Sequence, residues 1–487
     1  MRTVTSRHSP ASRAFKTAVT PSARARLTLA LAGGKAAGTA ARVLRAGGGT
    51  SFPGIVARRI DPRVLAKAAA ASDARKVIVT GSNGKTTTCR MLAALAQADG
   101  LRVTQNRSGS NLLQGVTSAA VAQADLRGRM DAQMLLLEVD EATVRRVAPE
   151  LRPDALLVTN IFRDQLDRFG ELYSMARKLE AVIETLPAPA AAVLNADDPL
   201  VASLAPGAPA RRLYFGIRDD AAGGRVPEHS ADTIRCVRCQ HMLSYRAVHL
   251  SHLGDYECPE CGIARPDLDV AVSAVRPSGT GSEITVETPA GTYELRVPLP
   301  GMHNVYNAAA ALAGEIALDL PRPLEPARAR RAMAGVRPAF GRLEEIRAGD
   351  RQVVLAFVKN PTSYNTTLRE VLRRPGRKHV LAAHSNTVVD GEDFAWLWDV
   401  EIEQLVPQLA SLVISGTRAE EVALRFKYAG ADPALTRVLP ARPAALEGAL
   451  SGTLPGEPLY IFAGYTPMRE LRAIMQRRGW VRPSWEE

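Results

Sequence analysis

The chain has 487 residues, 46% hydrophobic and 23% charged, with a net charge of +12. At roughly 100–200 residues per domain, this length predicts two to four domains, and no apolar run reaches the ~18 residues of a membrane-spanning helix. Residues 1–60 hold eleven Arg and Lys and no acid before Asp61, so the remainder is almost neutral, which argues against a nucleic-acid binder whose folded domains carry clustered cations.

In chain order, residues 1–55 read as a basic N-terminal extension, either solvated or lying on an anionic membrane surface. The apolar run 27–32 is too short for a secretory signal. The expected location is cytoplasmic, with the arm available for peripheral contact at the inner face of the membrane. Residues 46–54 are turn-rich and read as a junction. A β-branched run, 76–80, then predicts a buried strand. It leads into Gly81-Ser82-Asn83-Gly84-Lys85-Thr86-Thr87 and a helical stretch at 89–96. A full phosphate loop reads G-x-x-x-x-G-K-[ST]; here Val79 occupies the first glycine position and Gly81 stands two places late. Strand, glycine loop and helix are nonetheless the context an anion site needs, because free amides and the helix dipole both favour negative charge. Gly84 allows close backbone approach, Lys85 reaches β/γ-phosphates, and Thr86 offers a hydroxyl to Mg2+.

Apolar runs at 134–139 and 155–160 alternate with helical segments such as 171–186. This predicts a mostly parallel sheet with helices on both faces and ligands at the strands' carboxyl ends. Glu138, ending the first of these runs, is the expected partner of Thr86 at magnesium, with Asp140 and Glu141 following. At 230–266 the texture changes to an insertion bearing Cys236-x-x-Cys239 and Cys258-x-x-Cys261. Two pairs at this spacing predict a tetrahedral four-thiolate zinc site. With every position filled by protein, the metal is expected to be structural. Cys89 is expected to be a small core residue. A Pro/Arg stretch, 321–326, reads as a linker to a second α/β pattern whose apolar runs begin near 352, 379, 412 and 459. The expected domains are thus 56–320, interrupted by the insertion, and 325–487.

These residues resemble a family. Residues 80–87 are similar to the T-G-T-N-G-K-T-T loop of the Mur ligases, which lacks the early glycine. Gly301-Met302-His303-Asn304-Val305-Tyr306-Asn307 resembles their G-x-H-N-x-x-N element for adenine, and Gly341-Arg342-Leu343-Glu344 the G-R-x-E opening their third domain. Within the family the chain is most similar to the MurT branch. The features that carry this are Thr159-Asn160-Ile161-Phe162-Arg163-Asp164-Gln165-Leu166-Asp167, the four-cysteine ribbon, Lys359-Asn360-Pro361 with Asn365, and Trp396-Leu397-Trp398-Asp399. The likeness runs from about residue 25 to about residue 480.

The resemblance implies an α/β fold: a Mur ligase-like central P-loop ATPase domain with an inserted four-cysteine zinc ribbon, then a smaller Rossmann-like α/β C-terminal domain. It implies an ATP-dependent ligase that amidates the α-carboxylate of D-glutamate in the lipid II stem peptide through an acyl phosphate. A GatD-like glutamine amidotransferase would supply ammonia within a heterodimer, and the cofactors would be ATP, Mg2+ and structural Zn2+. ATP would be held by Gly81, Asn83, Gly84, Lys85, Thr86, Thr87, Asn304, Asn307 and Arg342. Catalysis would fall to Lys85 and Glu138, with Asp390, Asp393 and Asp399 on a C-terminal active surface where one aspartate orients the partner's histidine. Gln165 replaces a family histidine, and Arg177 stands where the amino-acid-adding ligases carry a carbamoylated lysine, placing a permanent cation near the phosphate. Both departures argue against the alternative, a Mur- or folylpolyglutamate-type ligase that adds an amino acid, and the second magnesium site of those ligases is not carried over.

Overall fold

The computed structural model describes residues 21–43, 51–106, 110–164, 172–278, 280–320, 323–338, 341–387 and 389–481; Gln165 lies outside them. In the first half the strands are β1 (Arg75–Thr80), β2 (Val103–Gln105), β3 (Met134–Glu138), β4 (Ala155–Val158), β5 (Ala191–Asn195), β6 (Arg211–Ile217), β7 (Ser244–Leu250), β8 (Leu253–Glu257), β9 (Val270–Ser278), β10 (Gly281–Thr288) and β11 (Gly291–Val297). All but β7 and β8 form one sheet in the order β11-β10-β9-β6-β5-β4-β1-β3-β2. It is parallel from β2 to β9 and ends in an antiparallel meander. β1 pairs with β3 on one side and β4 on the other, so successive connections leave it in opposite directions. A crevice opens at such a switch point, beyond the carboxyl end of β1.

The central strands are apolar on both sides because helices cover both faces. Val77, Val79, Leu136 and Leu157 pack with the helices Lys85–Ala98 and Met302–Ala317. Ile78, Leu135, Leu137 and Leu156 face the helices Leu113–Gln123, Val144–Leu151 and Leu172–Glu184. The second sheet comprises β12 (Glu344–Ala348), β13 (Arg351–Phe357), β14 (Lys378–Ala383), β15 (Leu409–Ser415), β16 (Thr436–Val438) and β17 (Pro458–Ala463), in the order β12-β13-β17-β14-β15-β16. Only β12 is antiparallel, and buried apolar clusters again lie on two faces.

Three segments differ from the sequence expectation. Residues Pro21–Val43 of the basic extension form a helix whose Leu27, Ala30 and Leu31 are buried. Gly34, just after the apolar run, is a point of close helix approach: a Cβ there would lie 2.8 Å from Val121 Cγ1 and 3.0 Å from the Pro53 carbonyl oxygen. Charge counting misses this because the buried stripe is narrow and its small residues carry no periodic signal. The junction gives way to a helix at Phe52–Ile60, with proline in the first turn, where no amide is needed. Likewise Pro326, expected to end a linker, opens a helix, Pro326–Ala334, that buries Ala329 and Met333.

Candidate nucleotide site and metal centre

The loop after β1 enters the helix Lys85–Ala98 through Gly84, whose φ of 87° few side chains tolerate. A Cβ on Gly84 would also stand 2.1 Å from Asn307 Oδ1. The Ser82 amide donates to the Asn160 carbonyl (2.9 Å) and the Asn83 amide to Asn160 Oδ1 (2.8 Å), while Thr159 Oγ1 donates to the Asn83 carbonyl (2.7 Å). The end of β4 therefore holds the loop in shape, leaving the first helix amides without intrahelical partners. Gly84→Ala is expected to raise the Kd for a non-hydrolysable ATP analogue at least about tenfold, or ~1.4 kcal/mol. Calorimetric titration reads it, and unchanged affinity would remove the loop from the nucleotide site.

Lys85 is buried and donates to the Gly81 carbonyl and to Glu141 Oε2 at 3.0 Å. Burial opposes its charge, but Glu141, Asp140, Glu138 and Asp164 outweigh that and raise its pKa. Thr86 Oγ1 donates to Glu138 Oε2 at 2.8 Å. Hydroxyl and carboxylate thus already share one point, as two hard oxygen ligands of magnesium would. The Glu138 amide is fixed by Asn106 Oδ1 (2.8 Å).

The second sheet's domain reaches this cluster. Lys359 Nζ pairs with the buried Asp164, and Asn360 Nδ2 donates to Asn83 Oδ1 at 3.4 Å. Burial raises the Asp164 pKa against the pull of Lys359. Burial would also raise Glu141, yet Lys85 and Lys359 hold it below the usual carboxylate range. Asn360 caps the helix Pro361–Arg373 in a reciprocal capping box with Ser363, which fixes both asparagine and lysine at the seam.

Beside the loop lies a cavity of about 890 Å³, lined in part by Asn83, Gly84, Thr87, Asn304, Asn307 and Arg342. Asn304 and Asn307 are joined by a 3.2 Å bond from Asn307 Nδ2, and Thr88 Oγ1 donates to Asn307 Oδ1 at 3.3 Å. Arg342 stacks over Phe357, 5.0 Å from its centroid. Burial lowers its pKa, opposed by Glu138 and Asp164. His303 is held neutral, its pKa lowered to about 4 by burial and by Arg342.

The four ribbon thiols converge, all Sγ atoms lying within 4.8 Å of one another. Cys236–Cys261 and Cys239–Cys258 stand 3.5 Å apart, close to the ~3.8 Å edge of a tetrahedron with 2.3 Å Zn–S bonds. The two knuckles share one backbone form: the Cys236 amide donates to the His241 carbonyl and the Cys258 amide to the Ile263 carbonyl, each at 2.7 Å. The thiols therefore fit zinc. Cys89 is buried in the core, and burial raises its pKa far above an ordinary thiol's.

The C-terminal aspartates do not converge. Asp390 accepts from the Thr466 amide (2.9 Å) and Thr387 Oγ1 (2.6 Å). Asp393 Oδ1 accepts from the Ala395 amide (2.9 Å), just before the short 3-10 turn Ala395–Asp399. Asp399 pairs across the seam with Arg163 at 3.1 Å. Arg177 is exposed on the helix Leu172–Glu184, with no ion pair to the loop among the described residues, so the cation beside the loop is Lys359 rather than Arg177. Near Asp390, His384 is buried among Tyr364, Phe394 and Trp396, and burial lowers its pKa to about 3. A histidine depressed on folding stabilises fully above its unfolded value of 6.5 and loses that contribution as pH falls towards 3. The stability of His384→Phe relative to wild type is accordingly expected to rise between about pH 7 and 5 in urea titrations; a constant difference would place a proton on the native imidazole.

Sequence reasoning missed Asn195, Asp197 and Asp198. Asn195 Nδ2 donates to the Thr159 carbonyl (2.9 Å), Asp198 accepts from the Ile161 amide (2.8 Å), and Asp197 accepts from Tyr306 OH (2.7 Å). Together they brace the loop's support and the helix bearing Asn304. Paired acids following Asn195-Ala196 at the end of the apolar run 190–194 were the available signal.

The chain is similar to known proteins over most of its length. Residues 79–258 match the model of the Mur ligase middle domain, and residues 357–468 that of the MurT ligase C-terminal region. The lipid II isoglutaminyl synthase (glutamine-hydrolyzing) subunit MurT of Streptococcus pneumoniae is 30% identical over 446 residues, covering 90% of this chain and 95% of that one. Its Staphylococcus aureus counterpart is 29% identical over 78% of this chain and 83% of its own. Among solved structures, a pseudomurein peptide ligase type C from Methanothermus fervidus aligns with a TM-score of 0.65 at 21% identity, over 83% of this chain and 79% of that one. Mycobacterium tuberculosis folylpolyglutamate synthase, complexed with ADP and AMPPCP, aligns with a TM-score of 0.60 at 17% identity, over 86% and 93%. These structures share the fold. With 30% identity over 90% of this chain to the Streptococcus pneumoniae subunit and a matching C-terminal model, the chain belongs to the MurT family of Mur ligase-like proteins.

Proposed function

We propose that this chain is the ATP-dependent subunit of a lipid II isoglutaminyl synthase. The observation that carries this is the likeness, over 90% of the chain, to a subunit bearing that name. In the proposed reaction an oxygen of the D-glutamate α-carboxylate attacks the γ-phosphorus of ATP and ADP leaves. Ammonia then attacks the acyl carbon, phosphate departs with the former carboxylate oxygen, and nitrogen sheds a proton to give the amide. A carboxylate resists attack by ammonia until its oxygen becomes a leaving group. Phosphoryl transfer asks the protein mainly for alignment and charge neutralisation. Lys85 and the loop amides suit the β/γ-phosphates, and Asn304, Asn307 and Arg342 suit the rest of the nucleotide. Thr86 and Glu138 would hold Mg2+, which supplies charge neutralisation between the phosphates when bound.

Ammonia must come from elsewhere. Of the five cysteines, four form the metal cluster and Cys89 is a buried thiol held protonated, so no glutaminase nucleophile remains. A GatD-like amidotransferase partner fits that need. One aspartate of the 390–399 segment would orient the partner's histidine; Asp390, Asp393 and Asp399 each already hold a bond or ion pair within the chain.

The test is ATP turnover with lipid II, given ammonium chloride alone or glutamine plus the partner subunit, with the stem peptide read by mass. The small mass loss of replacing –OH by –NH2 is expected under both conditions. A gain matching a whole amino acid would instead establish the amino-acid-adding ligase.

A further inference from the structure

The four-cysteine insertion enters the main domain where a merely stabilising appendage need not. Its hairpin, β7 and β8, runs directly into Cys258, and the turn of that hairpin is wholly internal: Ser251 and His252 are 0% exposed. Three separate contacts leave this turn. The His252 ring meets the edge of Phe162, with centroids 5.0 Å apart. Phe162 is in turn locked to the phosphate loop in both directions, its amide donating to Ser82 Oγ (2.9 Å) and Ser82 Oγ donating to its carbonyl (3.0 Å). Leu250 and Leu253, flanking the turn, line the same 890 Å³ cavity as Asn83 and Asn304. Finally, the Ser251 amide donates to Glu228 Oε1 (2.7 Å), and Glu228 receives Arg369 of the helix Pro361–Arg373 at 2.5 Å. That helix begins beside Lys359 and Asn360.

Neither ring nitrogen of His252 has a hydrogen-bond partner among the described residues, and its nearest carboxylate oxygen, on Asp198, is 3.7 Å away, too far for a bond. What the side chain supplies here is therefore ring shape against Phe162.

We propose that the hairpin running into the four-thiol cluster is a positioning element of the nucleotide site. In this role its turn supports the phosphate loop through Phe162, walls the cavity with Leu250 and Leu253, and through Glu228 fixes the helix that brings Lys359 and Asn360 to the loop. His252 and Glu228 are positioning residues, since neither is required to touch nucleotide. The inference rests on the cavity being the ATP site.

The experiment titrates a non-hydrolysable ATP analogue with Mg2+ into the full-length chain by calorimetry, with zinc content and melting temperature measured on each sample. His252→Ala is expected to weaken binding about tenfold with zinc retained, and His252→Phe, which keeps a ring, to restore affinity to within about threefold. Glu228→Gln leaves ring and metal in place and is expected to weaken binding by at least about threefold; it decides alone should His252→Ala fail to fold. Wild-type affinity in folded Ala and Gln variants would overturn the inference, as would equal weakening by Ala and Phe. A wild-type chain with no affinity for the analogue would bring down the proposed function as well, a result distinct from either.

Discussion

Lys85→Met is expected to lower ATP-dependent amidation by about 100- to 1,000-fold, the range seen when one preorganised charge-stabilising donor is removed. Methionine keeps the length of the side chain and removes its charge where negative charge builds on the transferred phosphoryl group. The native cluster makes the charge itself dependable, because Glu141, Asp140, Glu138 and Asp164 together raise the lysine pKa against burial. The substitution also has a structural cost. Glu141, 3% exposed, loses a 3.0 Å partner, and breaking a buried pair typically costs about 3–5 kcal/mol. Lys359 remains to offset part of that. Because the folded Glu141 pKa is depressed, its stabilisation is present above the ordinary 4.5 and fades as pH falls through the folded value. The stability gap between wild type and Lys85→Met should therefore narrow below about pH 4.5. Turnover, melting temperature and a low-pH melt are the three readings. Activity within about tenfold of wild type would leave Lys85 a counter-ion for Glu141 and no more.

The second large effect concerns the metal. Cys258→Ser is expected to abolish zinc binding and open the insertion to trypsin at the exposed Arg235, Arg238 and Arg246. Apart from the buried turn of β7–β8, the cysteine knuckles have little else to hold them: the apolar cluster around them comprises Ala202, Cys236, Leu243, Tyr256 and Cys258, two of them in the four-thiol cluster. A core that small does not offset the entropy of ordering its chain, whereas structural zinc in small modules contributes on the order of 10–16 kcal/mol of apparent binding energy. Metal analysis and limited proteolysis measure the outcome. A variant as resistant as wild type would mean that the hairpin β7–β8 is anchored by its buried turn alone.

Features of this protein written in contiguous residues are legible in the amino-acid sequence by itself. Gly84-Lys85-Thr86 after a β-branched run, the two Cys-x-x-Cys pairs, and apolar runs ending in polar residues each state a local conformation together with its chemistry. Backbone geometry and ligand count fix such motifs over a few residues. Glu138 follows by the same logic, since a carboxylate ending a strand beside the loop has one place to go.

What only the tertiary structure decided lies between segments far apart in sequence. The partner of Asp164 is Lys359, 195 residues away, and the partner of Asn83 is Asn360, 277 residues away. No periodicity or spacing encodes such pairs. They follow from how two sheets dock, which is set by the summed burial of surfaces rather than by any one stretch of chain. The same reason dispersed Asp390, Asp393 and Asp399, neighbours in sequence whose hydrogen bonds each answer to a different helix or turn. It also turned a glycine-bearing basic extension into a packed helix, because Gly33 and Gly34 acquire meaning only when another helix approaches them.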